Sequence, residues 1–292
     1  MAWYHTFNGM RTSRHQPERI DLDRIEAQPR DWQILPSFTD FKLQPTNYLN
    51  AIYGVPTNRL TKLTKAGLLG RKTFNGNRNN NQTQTYFRTA AGDEFLAAKG
   101  IHILPRTNKV DREQALMDII KLSSFMGARE DGARLLFRSQ LVLDPRFAHL
   151  KEPGRYHYTL PDRNVFPDDH PHAYVTAKGE HVAIIDEMDC ATESDKKIIA
   201  KFEGYRDLWS RRMWKEHGFD RALLRFTTTS KVRLRHLMAD VAPTFGGKCP
   251  WILWAYLEDH TVRNGAPEVT TRFYSEPYQR IGFEPFSLSS FK

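Results

Sequence analysis

The sequence predicts a mixed α/β protein of two units: an N-terminal winged helix-turn-helix over residues 30–100, and an α/β domain with a central sheet over residues 111–260. Three observations predict it. The stretch from Phe41 to Ala90 holds eight basic residues and no Asp or Glu. The same stretch has the spacing of short helices followed by two strand-like runs. Beyond residue 111, strand-length apolar runs alternate with helical spacing, the pattern of a sheet covered by helices. A chain of 292 residues also suits two units, since domains usually run to roughly 100–200 residues.

Taken in order, Asp31–Phe38 reads as the end of a first helix and Thr46–Tyr53 as a second, carrying Tyr48, Leu49, Ile52 and Tyr53. Pro56 stands in the first turn of the next helix, where its missing N–H costs nothing. That helix, Thr57–Ala66, turns Leu60 and Leu63 inward and stops at Gly67. Its outward positions are Thr57, Asn58, Arg59, Thr61, Lys62 and Lys65. Two strand-like runs follow, Leu68–Phe74 with Arg71 and Lys72, and Thr85–Thr89 with Arg88. The polar segment 75–84 between them, with Arg78, reads as a wing, and Ala91–Lys99 as a closing helix. A basic helix in this position enters the major groove, where Arg and Asn read base edges, while wing and strand cations hold phosphate. Double-stranded DNA is therefore the expected partner, and these ten polar and basic residues are its expected contacts.

Residues 1–29 read as an arm and residues 101–110, with Pro105, as a linker. Arg112–Phe125 has amphipathic spacing. Tyr156–Phe166, Ala173–Ala177 and Val182–Met188 read as strands, and Ser194–His217 as a long helix. Ala222–Thr227 reads as a strand, Lys231–Ala239 as a helix and Pro250–Leu257 as a last strand. Residues 261–292 show no firm periodicity and read as a tail.

Composition narrows the function. The chain has 43 Lys plus Arg against 34 Asp plus Glu, for a net charge of +9, and 40% of its residues are hydrophobic. Its longest apolar run, Trp251–Leu257, is far short of the ~20 residues of a membrane helix, so no membrane partner is expected. Two cysteines, Cys190 and Cys249, suit a reducing compartment, and a cytoplasmic location is the expectation. No phosphate-binding glycine loop is present, so no nucleotide cofactor is implied.

The chemistry is expected at strand ends. Leu160-Pro161-Asp162 carries one carboxylate, and the apolar run Ile184-Ile185 leads into Asp186, Glu187 and Asp189. Alternation along a strand puts Glu187 and Asp189 on one face and Asp186 and Met188 on the other. With Asp162 alongside, three carboxylates converge, a set that suits Mg²⁺ or Mn²⁺ and the hydrolysis of a phosphodiester. The alternative is a strand end whose acids pair with Lys196, Lys197 and Lys201. The run Asp168-Asp169-His170-Pro171-His172, interrupted by proline, reads as a polar turn.

Several of these residues, in this order, resemble the replication-relaxation family of plasmids, phages and other mobile elements. They are Arg59-Leu60, Leu63, Ala66-Gly67-Leu68-Leu69, Tyr86-Phe87-Arg88-Thr89, Pro161-Asp162, Glu187-Met188-Asp189, Lys201, Tyr205 and Phe226-Thr227-Thr228-Thr229-Ser230. The resemblance spans residues 30–257. It implies a winged helix joined to a restriction-endonuclease-like domain of the PD-(D/E)XK type, acting in replication or DNA nicking. In that pattern Asp162 and Glu187 hold the first two acidic positions, and Asp189 stands where a lysine is usual. Lys197 or Lys201 on the following helix can then supply the cation that polarises the phosphate, with Tyr205 one further i,i+4 step along. The implied roles are Asp162, Glu187 and Asp189 on metal, Lys201 on the phosphate, and Tyr205 or water as nucleophile. The alternative of a different class is a non-catalytic regulator that uses a degenerate nuclease-like domain for homodimerisation or partner binding. Asp189 in the lysine position favours the regulator, and the acidic pair favours the enzyme.

Overall fold

The computed structural model describes residues 26–73, 84–101, 103–104, 111–257 and 268–291. Most of the N-terminal arm, all but Gln84 of the segment expected to form a wing, Arg78 included, and most of the expected linker lie outside the described residues.

The first unit runs α1 (Asp31–Ser37), β1 (Gln44–Pro45), α2 (Thr46–Tyr53), α3 (Thr57–Lys65), β2 (Leu69–Lys72), β3 (Thr85–Arg88) and α4 (Ala90–Ala98). Its three strands form an antiparallel sheet in the order β1-β3-β2. The element order is the one read from the spacing, with the two-residue β1 added. Gly54, at φ +63°, closes α2 in the left-handed region, and extended Pro56 caps α3. Leu60 and Leu63 reach a core with Ile34, Leu35, Leu49 and Phe95, as amphipathic spacing requires.

Three of the eight cations in the acid-free stretch are structural. Arg59 is buried and donates from Nε to Asp31 Oδ1 at 3.0 Å. Arg88 is fully buried, with Nε 2.5 Å from Asp93 Oδ1 and Nη1 2.6 Å from the Leu35 carbonyl. Lys42 is buried against Asp169, 2.8 Å away. The expectation that Arg59 and Arg88 face DNA is therefore corrected: each guanidinium is turned inward by a carboxylate outside the acid-free stretch. Replacing Arg59 by methionine should destabilise the protein by about 3 kcal/mol, the low end for breaking a buried pair, because Asp31 is left uncompensated. Denaturant titration measures it, and an unchanged midpoint would return Arg59 to the surface.

The second unit runs α5 (Arg112–Glu130), β4 (Arg134–Leu136), α6 (Arg138–Leu141), β5 (Tyr158–Thr159), β6 (Asn164–Val165), β7 (His172–Val175), β8 (His181–Asp189), α7 (Asp195–Arg211), β9 (Arg221–Thr228), α8 (Lys231–Val241), β10 (Cys249–Tyr256), α9 (Arg272–Ser275), β11 (Tyr278–Ile281) and β12 (Phe283–Phe286). Seven strands make one mixed sheet in the order β12-β11-β10-β9-β8-β7-β4. Strands β8, β9 and β10 are parallel, and every other pairing in the sheet is antiparallel. Residues 272–286, expected in the tail, form α9, the strand β11 and the edge strand β12. Strands of four residues give too little alternation to stand out in a sequence.

Helices cover both faces. Ile185, Leu224 and Trp254 pack with Phe202, Leu208 and Leu237 of α7 and α8. Val182, Ile184 and Leu253 pack with Leu116, Ile119 and Ile120 of α5 on the other face. That second core also takes in Phe41, Tyr48 and Ile52, so α5 joins the two units. The i, i+2 alternation of β8 thus sends Ala183 and Ile185 to one layer and Val182 and Ile184 to the other.

Candidate functional site

The same alternation sorts the acids at the end of β8. Glu187 turns toward α7, Asp189 toward α8, and Asp186 toward α5, as the strand spacing predicts. All three are buried, at 2%, 5% and 4% exposure, so each needs a compensating partner.

Asp186 has one beside it on the next strand. In the β8–β9 register it stands opposite Arg225. Arg225 is fully buried and grips Asp186 through Nε at 2.6 Å and Nη2 at 3.1 Å, while its Nη1 donates to Ser124 Oγ at 2.6 Å. Asp189 is held by Arg233 Nε and Thr228 Oγ1, both at 2.9 Å, and accepts the Ala191 N–H at 2.9 Å. These contacts make Asp189 the anchor of the β8–α7 loop.

Glu187 is different. Its Oε1 accepts from the Tyr205 hydroxyl and its Oε2 meets the Lys201 ammonium. The second carboxylate there is Asp168, whose Oδ1 lies 3.3 Å from Lys201 Nζ and whose Oδ2 accepts the Met188 N–H at 2.9 Å. Strand β7 begins at His172, opposite Ile184. Beyond that point β7 has no residue to offer β8, and Asp168 takes the Met188 N–H instead. Burial, the Asp168 charge and a hydrogen bond between the two carboxyls push Glu187 well above its usual value. Burial also acts upward on Asp168, but Lys201, the Glu187 hydrogen bond and the Met188 N–H outweigh it and hold Asp168 below its usual value. Burial opposes the Lys201 charge, yet the two carboxylates raise its pKa.

Asp162 does not join them. It lies in the turn between β5 and β6 with its side chain 70% exposed, 3.9 Å from Arg163. The expected convergence of Asp162, Glu187 and Asp189 is therefore corrected: Asp168 meets Glu187, Asp162 points to solvent, and Asp189 is taken by Arg233. The sequence holds two Pro-Asp dipeptides, Pro161-Asp162 and Pro167-Asp168. The signal that separates them is that only the second directly precedes the strand paired with β8. Lys201 is brought to the site, whereas Lys197, one turn earlier on α7, is exposed. Tyr205 is 1% exposed, and burial together with Glu187 raises its phenol well above the usual value. That suits a donor that orients Glu187 better than a nucleophile.

Asp168 and Glu187 present carboxylate oxygens to one ammonium, that of Lys201. Mg²⁺ takes hard oxygen ligands, keeps several waters and needs only one or two carboxylates. No group of three or more His, Cys, Asp or Glu is arranged to hold a metal ion among the described residues.

On the first unit, Thr57, Asn58, Lys62 and Lys65 of α3 and Arg71 of β2 are exposed, while Thr61 and Lys72 are half-buried. Thr61 Oγ1 is committed to the Thr57 carbonyl at 3.0 Å. Among the described residues, no helix is long and apolar enough to cross a membrane.

A family model described as replication-relaxation matches residues 46–223, well over half of the chain. The match includes α3, Asp168, Glu187 and Lys201. No curated protein and no solved structure matches the chain.

Proposed function

The chain belongs to the replication-relaxation family, with a role in the replication or relaxation of mobile elements, and on that premise we propose that it binds duplex DNA through its first unit and cuts it through a metal-dependent site in its second. One observation carries the reading: Asp168, Glu187 and Lys201 meet at the end of β8. The order of the sheet supports it: α5, the antiparallel strands β4, β7 and β8, with α6, β5 and β6 inserted between β4 and β7, then α7 and the parallel strand β9, is compatible with the nuclease-like domain that the resemblance implies.

In this reading Asp168 and Glu187 would hold Mg²⁺ or Mn²⁺, and the cation would supply positive charge at the phosphate and its leaving oxygen. Lys201 presents an ammonium to a non-bridging phosphate oxygen as charge builds there. Tyr205 fixes the Glu187 carboxylate in place, and the Met188 N–H fixes that of Asp168. Asp189 and Arg233 hold the loop that leads into α7. DNA is brought by Thr57, Asn58, Lys62, Lys65 and Arg71. The exposed cations contribute by displacing counterions, so binding weakens as salt rises.

The test has two arms. Supercoiled plasmid incubated with Mg²⁺ or Mn²⁺ should become open circles, and Glu187→Gln should abolish this. Lys62→Ala with Lys65→Ala should lower the slope of log affinity against log salt by about 2. Intact plasmid with a clear mobility shift would favour the regulator reading, which the commitment of Asp189 to Arg233 also suits. An unchanged salt slope would remove α3 from the DNA interface.

A further inference from the structure

The turn that delivers Asp168 carries Asp169 next to it, and the two carboxylates point to different partners. Asp168 faces Lys201 and Glu187. The Asp169 side chain, only 4% exposed, lies 2.8 Å from Lys42 Nζ and 3.1 Å from Lys121 Nζ, and its Oδ1 also accepts the His170 N–H at 2.8 Å. Lys121 belongs to α5, but Lys42 belongs to the first unit, in the segment between α1 and β1. The Lys42 ammonium also donates to Gln114 Oε1 at 3.2 Å. The same seat is closed by the Leu43 N–H on Asp118 Oδ2 at 2.8 Å and by the Ser139 N–H on Asp40 Oδ1 at 2.9 Å.

A buried carboxylate that loses one of its two cations is costly, and it shifts toward water or toward the cation that remains. Asp169 directly follows Asp168 in the chain, so a change in its seat reaches Asp168 through the shared backbone. We propose that Lys42 is a positioning residue for the acidic site: the first unit, seated on α5, fixes Asp168 through Asp169 and so makes the site competent for a divalent cation. This rests on the metal-dependent reading above. It couples the unit that binds DNA to the carboxylate that would hold the metal, through one ion pair between the units. Groups that orient metal ligands in this way typically contribute about 10–100-fold in metal affinity or activity.

The test uses the full chain with Lys42→Met. Calorimetric titration with Mn²⁺ should show binding weakened by about 10–100-fold, and plasmid turnover should fall by a similar factor. DNA affinity should not change, because the Lys42 side chain is buried, and Lys42→Arg should recover turnover. Amide exchange at Met188 should accelerate, since its N–H is held by Asp168; this readout needs neither metal nor cleavage. A folded Lys42→Met protein with parental Mn²⁺ affinity, turnover and Met188 exchange overturns the proposal. If Lys42→Met does not fold, Asp169→Asn, which keeps the side-chain size, is measured the same way, with the same losses expected and parental values again overturning it. A parent that binds no Mn²⁺ and cuts no DNA defeats the metal-dependent reading instead. Met188 exchange then still decides whether Lys42 fixes Asp168: acceleration supports the link and unchanged exchange refutes it.

Discussion

Lys201→Met is expected to reduce DNA cleavage by at least about a hundredfold, the usual cost of deleting one group that stabilises transition-state charge. The side chain is well placed for this: it is only 26% exposed, and its ammonium touches both Asp168 and Glu187. Methionine preserves the length and packing of the stem on α7 while removing the charge. Two consequences distinguish this from loss of fold. Mn²⁺ affinity should hold or rise, because the ammonium no longer competes for the two carboxylates. Lys197→Met, one turn away and exposed, should leave cleavage at the parental rate. Metal affinity of the parent should also rise with pH, since Glu187 holds its proton well above the usual carboxylate range and must release it to bind a cation. Metal-dependent turnover unaltered in Lys201→Met would remove this residue from the chemistry.

The largest effect on stability is expected on the other face of the sheet. Arg225→Met should destabilise the protein by about 3–5 kcal/mol, because Asp186 is left buried beside only the His172 ring, 3.3 Å away, whose pKa burial holds well below its usual value. Arg225 is 0% exposed and Asp186 4%, and the guanidinium links β8 through Asp186 to α5 through Ser124. Burial acts against the Arg225 charge but Asp186 outweighs it and raises the Arg225 pKa, while burial pushes Asp186 up against the pull of Arg225. The double variant Arg225→Met with Asp186→Leu should recover most of the loss, since a buried pair replaced by apolar side chains is often close to neutral. Denaturant midpoints for the single and double variants measure this. A double variant no more stable than the single would mean that packing, and not the unpaired charge, sets the cost.

Much of the fold was legible because it follows from local patterns. The bounds of α2 agree with those read from the sequence, α3, β8 and the start of α7 lie within one residue of them, and α7 ends six residues before His217, since caps, prolines and apolar spacing act over one or two turns. The split of Glu187 and Asp189 from Asp186 was legible for the same reason. What was not legible depends on pairing between distant residues. The acid-free stretch looked like a single cationic surface, yet Arg59, Arg88 and Lys42 are turned inward by Asp31, Asp93 and Asp169, all outside it. Choosing between Asp162 and Asp168 required knowing that β7 pairs with β8 from His172 opposite Ile184, which leaves the β5–β6 turn to solvent. Lys201 was separable from Lys197 only by the rotation of α7 on the sheet.

The most direct test of the central claim compares the two aspartates that each follow a proline. Asp168→Asn and Asp162→Asn are incubated separately with supercoiled plasmid and Mn²⁺ beside the parent protein, and open circles are counted over time. The geometry predicts that parent and Asp162→Asn convert the plasmid at the same rate, while Asp168→Asn leaves it closed. Conversion retained in Asp168→Asn and lost in Asp162→Asn would contradict the site at the end of β8.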